Sequence, residues 1–212
     1  DGTMNVVRQM SDERTLAVSE PDGGIYDALN RAIARVTGDA VGLLHSDDTY
    51  ASDRVLEWVA AAFEDADVDA VYGDLHYVRK DNPDKIVRNW VAGEFTPARL
   101  RSGWMPPHPT LFVRRNVLER LGGYDTSFSI AADYDSVLRF FAEPGFKAVY
   151  VPEVFLQLRV GGESNRSLER IIRKSLEDSR ALRQNGVGGL GVLARKNIGK
   201  VEQFFLKGLD RT

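Results

Sequence analysis

The sequence predicts an α/β fold: a mostly parallel central sheet with helices on its faces and a helical extension at the C-terminal end. Three observations carry this. Short apolar runs alternate with stretches of helical periodicity from Leu16 to Asp74. One of those runs, "AVGLLH", is continuously apolar, as a strand buried on both faces must be. From 165 onward the pattern is helical only, with a stripe of Leu168, Ile171, Ile172, Leu176 and Leu182.

Taken in order, the opening "DGTMNVVRQM" begins with turn residues and no initiator Met, as though entered partway through a fold. "LAVSE" reads as a short strand, and Pro21, Asp22, Gly23 and Gly24 as a turn. Ile25, Ala28, Leu29, Ala32, Ile33 and Val36 recur at helical spacing, and Gly38 ends that helix. "AVGLLH" is the next strand. A helix follows with Val55, Trp58, Val59, Ala62 and Phe63 on one face, then the strand "DAVYGD". "LHYVRK" and "KIVRNWVAG" flank the turn "DNPD" as a hairpin. Thr96 to Arg101 reads as a short helix, "PTLFVRR" as a strand, and "NVLERLGG" as a helix capped by Asn116 and stopped by Gly122. "AADYDSVLRFFAE" is a helix with Asp133 and Asp135 in its first turn; "KAVYV" and "EVFLQLRV" are strands. "NGVGGLG" is a linker before a last helix carrying Ile198, Val201, Phe204, Phe205 and Leu209.

Composition narrows the function classes. The chain has 212 residues, 43% hydrophobic and 28% charged, enough to bury a core without staples. The absence of cysteine removes disulfides and thiolate metal sites and fits a reducing compartment. The 3 histidines, His45, His76 and His108, lack zinc-motif spacing. No apolar run reaches the ~20 residues of a membrane span, and no signal peptide is visible. The net charge of −3 divides unevenly: 160–212 carries +5 and the remainder −8. A basic, amphipathic tail on an acidic body suits an anionic surface or solvated exposed helices, and nothing calls for nucleic acid.

Two stretches carry candidate chemistry. In open α/β sheets ligands bind beyond the carboxyl ends of strands, and Asp47 and Asp48 follow "VGLLHS" there. Adjacent carboxylates repel unless a cation joins them or one caps the next helix. A hard divalent ion, Mn²⁺ or Mg²⁺, takes one or two carboxylates plus the phosphates of a nucleotide. The second stretch places Asp133 and Asp135 at a helix start, where acids are also favoured by the helix dipole.

The run "SEPDGGIYDALNRAIARVTGDAVGLLHSDDTY", followed by "WMPPHPTLFVRR", "LGGYDTSFSIAADYDSVLRFF" and "RVGGES", resembles family 2 glycosyltransferases, from Asp1 to about Ser167. The resemblance implies the GT-A fold, with 1–164 as the catalytic domain and 165–212 as C-terminal amphipathic helices. It implies Asp48 as metal ligand and Asp47 as support for the metal or the donor ribose, with Ser46 standing where a fuller triplet has an acid. It places Asp22, Asp27 and Asn30 in the nucleotide pocket, although Asp27 is equally a first-turn acid. Asp133 matches the family's catalytic base, and Asp135 is better read as structural. His108 is either structural or a contact to phosphate, metal or acceptor. Trp104 stacks on a sugar or fills the core, Arg159 meets phosphate or a surface acid, and Ser164 caps a helix beside a ligand-facing Gly pair. Family members begin with a strand and helix before a run ending in "DGT", so residues upstream are expected. The Gln-x-x-Arg-Trp motif of processive members is absent, since Gln157 is followed by "LRV"; one sugar is added, not a polymer.

The implied activity is inverting transfer of a sugar from a nucleotide-diphosphate donor to a hydroxyl of a glycan or lipid-linked acceptor, in bacterial surface polysaccharide synthesis. The setting would be cytoplasmic, at the inner face of the membrane, with the tail on that membrane or in a homodimer. The competing reading is a GT-A module that binds nucleotide sugar or glycan without turnover.

Overall fold

The computed structural model describes residues 2–160 and 168–196. A first helix, α1 (Thr3–Met10), precedes an extended stretch and α2 (Ile25–Ile33). Then come β1 (Ala40–Val41), β2 (Asp48–Tyr50), α3 (Val55–Ala62), β3 (Ala70–Arg79) and β4 (Ile86–Trp90). The second half contains α4 (Pro97–Leu100), a 3₁₀ turn at His108–Thr110, β5 (Phe112–Arg114), α5 (Arg115–Leu121), α6 (Ala132–Phe141), β6 (Ala148–Val160) and α7 (Leu168–Gln184). A further helical stretch runs from 190 to 196.

The strands form one six-stranded sheet in the order β1-β5-β3-β6-β2, with β4 on the edge of β3 beyond β5. The α/β class holds, but strand direction is mixed. β3 and β6 pair in parallel, and the other four pairings are antiparallel. β1, β3 and β6 do run the same way, as the strand–helix alternation implies. They are not all neighbours, because β5 inserts between β1 and β3.

β3 organises the core because its side chains alternate between two layers. Ala70 and Tyr72 join α6 and α7 in a cluster with Tyr134, Val137, Leu138, Phe141 and Leu182. Val71 and Leu75 join α3 in a second cluster with Val55, Val59, Phe155 and Leu156. α7 thus packs into the main core through Ala181 and Leu182.

Several local expectations are corrected. "LAVSE" forms no strand: it has no ladder partner among the described residues, and Leu16 and Val18 are exposed. "AVGLLH" is a strand only at Ala40–Val41. Asp48 therefore does not trail a long parallel strand; it opens the antiparallel strand β2, opposite Leu158. The α2 helix stops at Ile33, before Gly38. "DAVYGD" and "LHYVRK" are one strand, as are "KAVYV" and "EVFLQLRV", the parallel ladder bridging each join by shifting register near Asp74. Asn116 lies inside α5, whose N-cap is Arg114, while Gly122 ends it at φ 85°, a conformation that favours glycine. On α7 the apolar stripe is only partly buried, at its Leu182 end. Ile171, Ile172 and Leu176 are exposed, and Asp178, Ser179, Ala181 and Leu182 are buried against the body. The last helix from Ile198 and the loop with Ser164 lie outside the described residues.

Candidate functional site

The site is assembled where the segment before β2, the 3₁₀ turn and the start of α6 meet. Asp48 is only 8% exposed, and its Oδ2 is buried with no hydrogen-bond partner. Its backbone N–H donates to the carbonyl of His45 at 2.9 Å, closing a turn that fixes His45, Asp47 and Asp48 together. Burial pushes the Asp48 carboxyl above the usual range; the charge of His45 opposes this and that of Asp47 adds to it. A buried carboxylate oxygen without a donor is costly, and a cation is the partner that would satisfy it.

Asp133 is half-buried in the first turn of α6. Its Oδ1 accepts the N–H of Tyr134 at 2.8 Å, and Oδ2 takes no hydrogen bond among the described residues. The backbone just before it is clamped from another element. Glu177, on α7, accepts N–H bonds from Ser129 (3.1 Å), Ile130 (2.8 Å) and Ala131 (2.9 Å). Three charge-assisted bonds to consecutive amides set where α6 begins and so where Asp133 stands.

His108 begins the 3₁₀ turn, stiffened by Pro106, Pro107 and Pro109. Its Nε2 lies 3.0 Å from the hydroxyl of Tyr124. Burial holds the imidazole below its ordinary pKa; the charge of Asp133 works the other way, and that of His45 adds to the lowering. His108 is therefore neutral at pH 7, a hydrogen-bonding group more than a counter-charge for phosphate. Tyr124 is pushed upward by burial and then by Asp133, so it stays a phenol. Through these mutual effects the structure brings together Asp48, His45, His108, Asp133 and Tyr124.

The remaining candidates divide. Asn30 uses both ends of its amide on Tyr124, donating from Nδ2 to the carbonyl and accepting at Oδ1 from the N–H, both at 2.8 Å. It positions Tyr124. Gly123 is required beside it, because an added Cβ would collide with Asn30 Oδ1. Asp22 accepts from Gly24 N–H at 2.9 Å. Asp27 accepts from Gly23 N–H and pairs with Arg31, each at 2.9 Å, which holds its carboxyl below the usual range. Both acids shape the turn into α2, where Gly24 has φ 119°. Asp135 is structural, accepting from Asn185 at 2.8 Å and facing Arg139. Trp104 is packed among Tyr72, Phe95 and Phe141, and its Nε1 donates to Ala92 O at 2.8 Å, so its ring serves the core. Arg159 is exposed on β6 with Val78 opposite it, one residue beyond Leu158, the ladder partner of Asp48.

Sequence reasoning passed over His45, Tyr124 and Glu177. His45 and Tyr124 stand inside the quoted motifs "LLHSDD" and "LGGYD"; Glu177 carries no local signal, since its partners are 46 to 48 residues away.

Among the described residues no group of three or more His, Cys, Asp or Glu is placed to enclose a metal ion. The orphan oxygen of Asp48, with Asp47 beside it, fits a divalent cation whose other ligands come from a diphosphate.

Residues 1–181 match a family model described as glycosyltransferase like family 2. A PGL/p-HBAD biosynthesis glycosyltransferase of Mycobacterium bovis is 30% identical over 186 residues, covering 87% of this chain and 69% of that protein. An uncharacterised glycosyltransferase of Mycobacterium tuberculosis is 35% identical over 129 residues, covering 57% of this chain and 45% of that one. The chain thus spans about half the length of the first curated relatives it matches. Staphylococcus aureus TarS in complex with UDP-GlcNAc superposes with a TM-score of 0.63 at 15% identity, covering 96% of this chain and 66% of that chain. A Pyrobaculum calidifontis mannosyltransferase in complex with GDP-Man and Mn²⁺ gives 0.57 at 20% identity, covering 96% and 58%. The fold is GT-A-like, and the chain belongs to glycosyltransferase-like family 2.

Proposed function

We propose that the chain transfers a sugar, with inversion, from a nucleoside-diphosphate donor to a hydroxyl of a glycan or lipid-linked acceptor. The observation that carries this is the buried, partnerless Oδ2 of Asp48, linked to Asp133 through His45, which acts on both Asp48 and His108, and through His108, on which Asp133 acts. Asp48, supported by Asp47, would hold Mn²⁺ or Mg²⁺, and such an ion, when bound, supplies positive charge to the diphosphate as it departs. Solved neighbours in complex with GDP-Man and Mn²⁺ or with UDP-GlcNAc support a nucleotide-sugar donor.

Asp133 is the general base. Its Oδ1 is anchored on the α6 backbone, which leaves Oδ2 to take the proton of the acceptor hydroxyl as that oxygen attacks the anomeric carbon. One base suffices, because the leaving group departs as an anion held by charge and needs no proton. His108 and Tyr124, neutral and mutually bonded, line the approach beside Asp133 and orient the acceptor by hydrogen bonds. The C-terminal segment 165–212 would rest on an anionic membrane surface: Ile171, Ile172 and Leu176 are exposed beside Arg170, Arg173 and Lys174. No helix among the described residues is long and apolar enough to cross a membrane.

The test joins binding and turnover. UDP-, GDP-, TDP- and CMP-linked sugars are screened by thermal shift with and without Mn²⁺. Asp133→Asn should keep the donor-induced shift while transfer falls by about 10²–10⁴. A donor shift with no transfer by the unaltered protein to any acceptor tried would favour a binding module.

A further inference from the structure

Helix α6 begins without a cap of its own. Ala131 stands at its N-cap and makes no side-chain hydrogen bond there, so the first amides of the helix must find partners elsewhere. Glu177 supplies one hold, on the amides of Ser129, Ile130 and Ala131. Tyr26, near the start of α2, supplies a second. Its hydroxyl donates to the carbonyl oxygen of Ile130 at 2.7 Å. Ile130 is thereby gripped at both backbone groups, its N–H by α7 at 2.8 Å and its C=O by α2. These contacts span 47 and 104 positions of chain, so they join elements that the sequence keeps apart.

The phenol oxygen of Tyr26 also faces the helix start. Burial pushes the phenol up, the charge of Asp133 adds to that, and the amides of Asp133 and Ala132 act in the opposite sense, as donors near an oxygen do. Tyr26 therefore remains an un-ionised donor beside Asp133.

The ring has a second task. Tyr26 and Asn30 are four residues apart and so share one face of α2. Asn30 holds the backbone of Tyr124. The Tyr26 ring stacks on that of Tyr124, with centroids 5.6 Å apart and planes at 28°. The Tyr124 hydroxyl in turn meets His108. One helix face thus supports both the segment before Asp133 and the Tyr124–His108 pair. An aromatic that only filled space would need no hydroxyl; the bond to Ile130 separates positioning from packing.

We propose that Tyr26 is a positioning residue: its hydroxyl, together with Glu177, fixes residues 129–131 and so holds Asp133 where it meets the acceptor hydroxyl. The role in turnover rests on the transferase reading above; the hold on the segment does not.

The experiment separates the two. Tyr26→Phe keeps the ring and its stack and removes only the hydroxyl. Hydrogen exchange, followed amide by amide in EDTA without donor, should quicken at least about 10-fold at Ile130, Ala131 and Asp133, with a smaller change at Val71 in β3, which reports global stability. In transfer assays kcat should fall about 10–100-fold with KM for the donor unchanged. Added to Asp133→Asn, Tyr26→Phe should slow the residual rate no further, because Tyr26 acts through that carboxylate. Exchange at 130–133 that quickens no more than at Val71 overturns the hold. An unchanged kcat, a rise in donor KM in place of the fall in kcat, or full additivity with Asp133→Asn overturns the role in turnover. No transfer by the unaltered protein to any acceptor tried overturns the transferase reading and that role with it, and exchange still decides whether Tyr26 holds the segment.

Discussion

Asp48→Asn should make the cation-free protein more stable while abolishing donor binding. The side chain is 8% exposed and its Oδ2 has no donor, so the folded state bears the cost of a desolvated charge. Leaving a buried polar group unsatisfied costs about 1–3 kcal/mol, more when it is charged. An amide keeps the shape and some of the polarity but loses the charge, so about 1 kcal/mol should return. For a chain of this size that is a rise in Tm of about 2–4 °C. The pH dependence has a definite sign. Burial raises the folded-state pKa of Asp48 above the unfolded value of 3.8. The folded state therefore binds the proton more tightly, and stability is lost as pH rises from the unfolded value through the raised one. The gain from Asn should be full at pH 7 and should vanish by about pH 3, where both states are protonated. Thermal unfolding in EDTA at both pH values measures it. In the same assay Mn²⁺ with donor at about 100 times Kd should add about 2.7 kcal/mol to the unaltered protein and nothing to the variant. A fall in Tm for the EDTA-treated variant at pH 7 would refute the reasoning, because Asp48 would then be an anchor of the fold and not a ligand awaiting charge.

Two further perturbations test the supports of the site. Asn30→Ala removes both 2.8 Å bonds to Tyr124 and should cost about 2 kcal/mol in denaturant titration; kcat should fall with it, since Tyr124 then no longer holds His108. Asp178→Asn removes the carboxylate charge that buried Lys196 meets at 2.9 Å, both side chains being 3% exposed, and should cost about 3 kcal/mol in urea unfolding, while Asp178→Leu combined with Lys196→Met should be close to neutral.

Much of the fold was legible because periodicity reports burial. β3, α3 and α6 sit where apolar spacing put them, since each presents a core face. Failures fall where burial and sequence pattern part. "LAVSE" has strand composition but no ladder, and strand propensity without a partner holds nothing. α7 buries Leu182 but shows Ile171, Ile172 and Leu176 to solvent, and it buries Asp178 and Ser179, because the contact with α6 and the Lys196 pair outweigh the rest of the stripe. In the site, Asp48 and Asp133 are visible as acids at element boundaries. Asp22, Asp27 and Asn30 are also polar and also adjacent, and sequence cannot say that their atoms are already committed to Gly24, Gly23, Arg31 and Tyr124. Glu177 was beyond reach for the opposite reason: its partners are close in space and distant in chain.

The two carboxylates that matter are treated in opposite ways, and the proposed reaction requires that difference. A general base must stand at a fixed distance from the oxygen it deprotonates, since misplacement is paid in rate. Asp133 has that fixity: one oxygen is bonded to its own helix, and the preceding amides are clamped by Glu177 from across the fold. A cation ligand needs the reverse, negative charge that the protein leaves unmet. Asp48 has a fixed backbone and an unsatisfied oxygen, with a second carboxylate next to it. Were Asp48 paired like Asp27, whose carboxylate already holds Arg31, a metal would have to displace a guanidinium before it could bind. Were Asp133 as poorly supported as an exposed loop acid, its oxygen would spend most of its time out of reach of the acceptor. The sheet edge at β2 and the α6–α7 contact therefore serve separate demands, and a substitution at one should change metal-dependent donor affinity while a substitution at the other changes turnover.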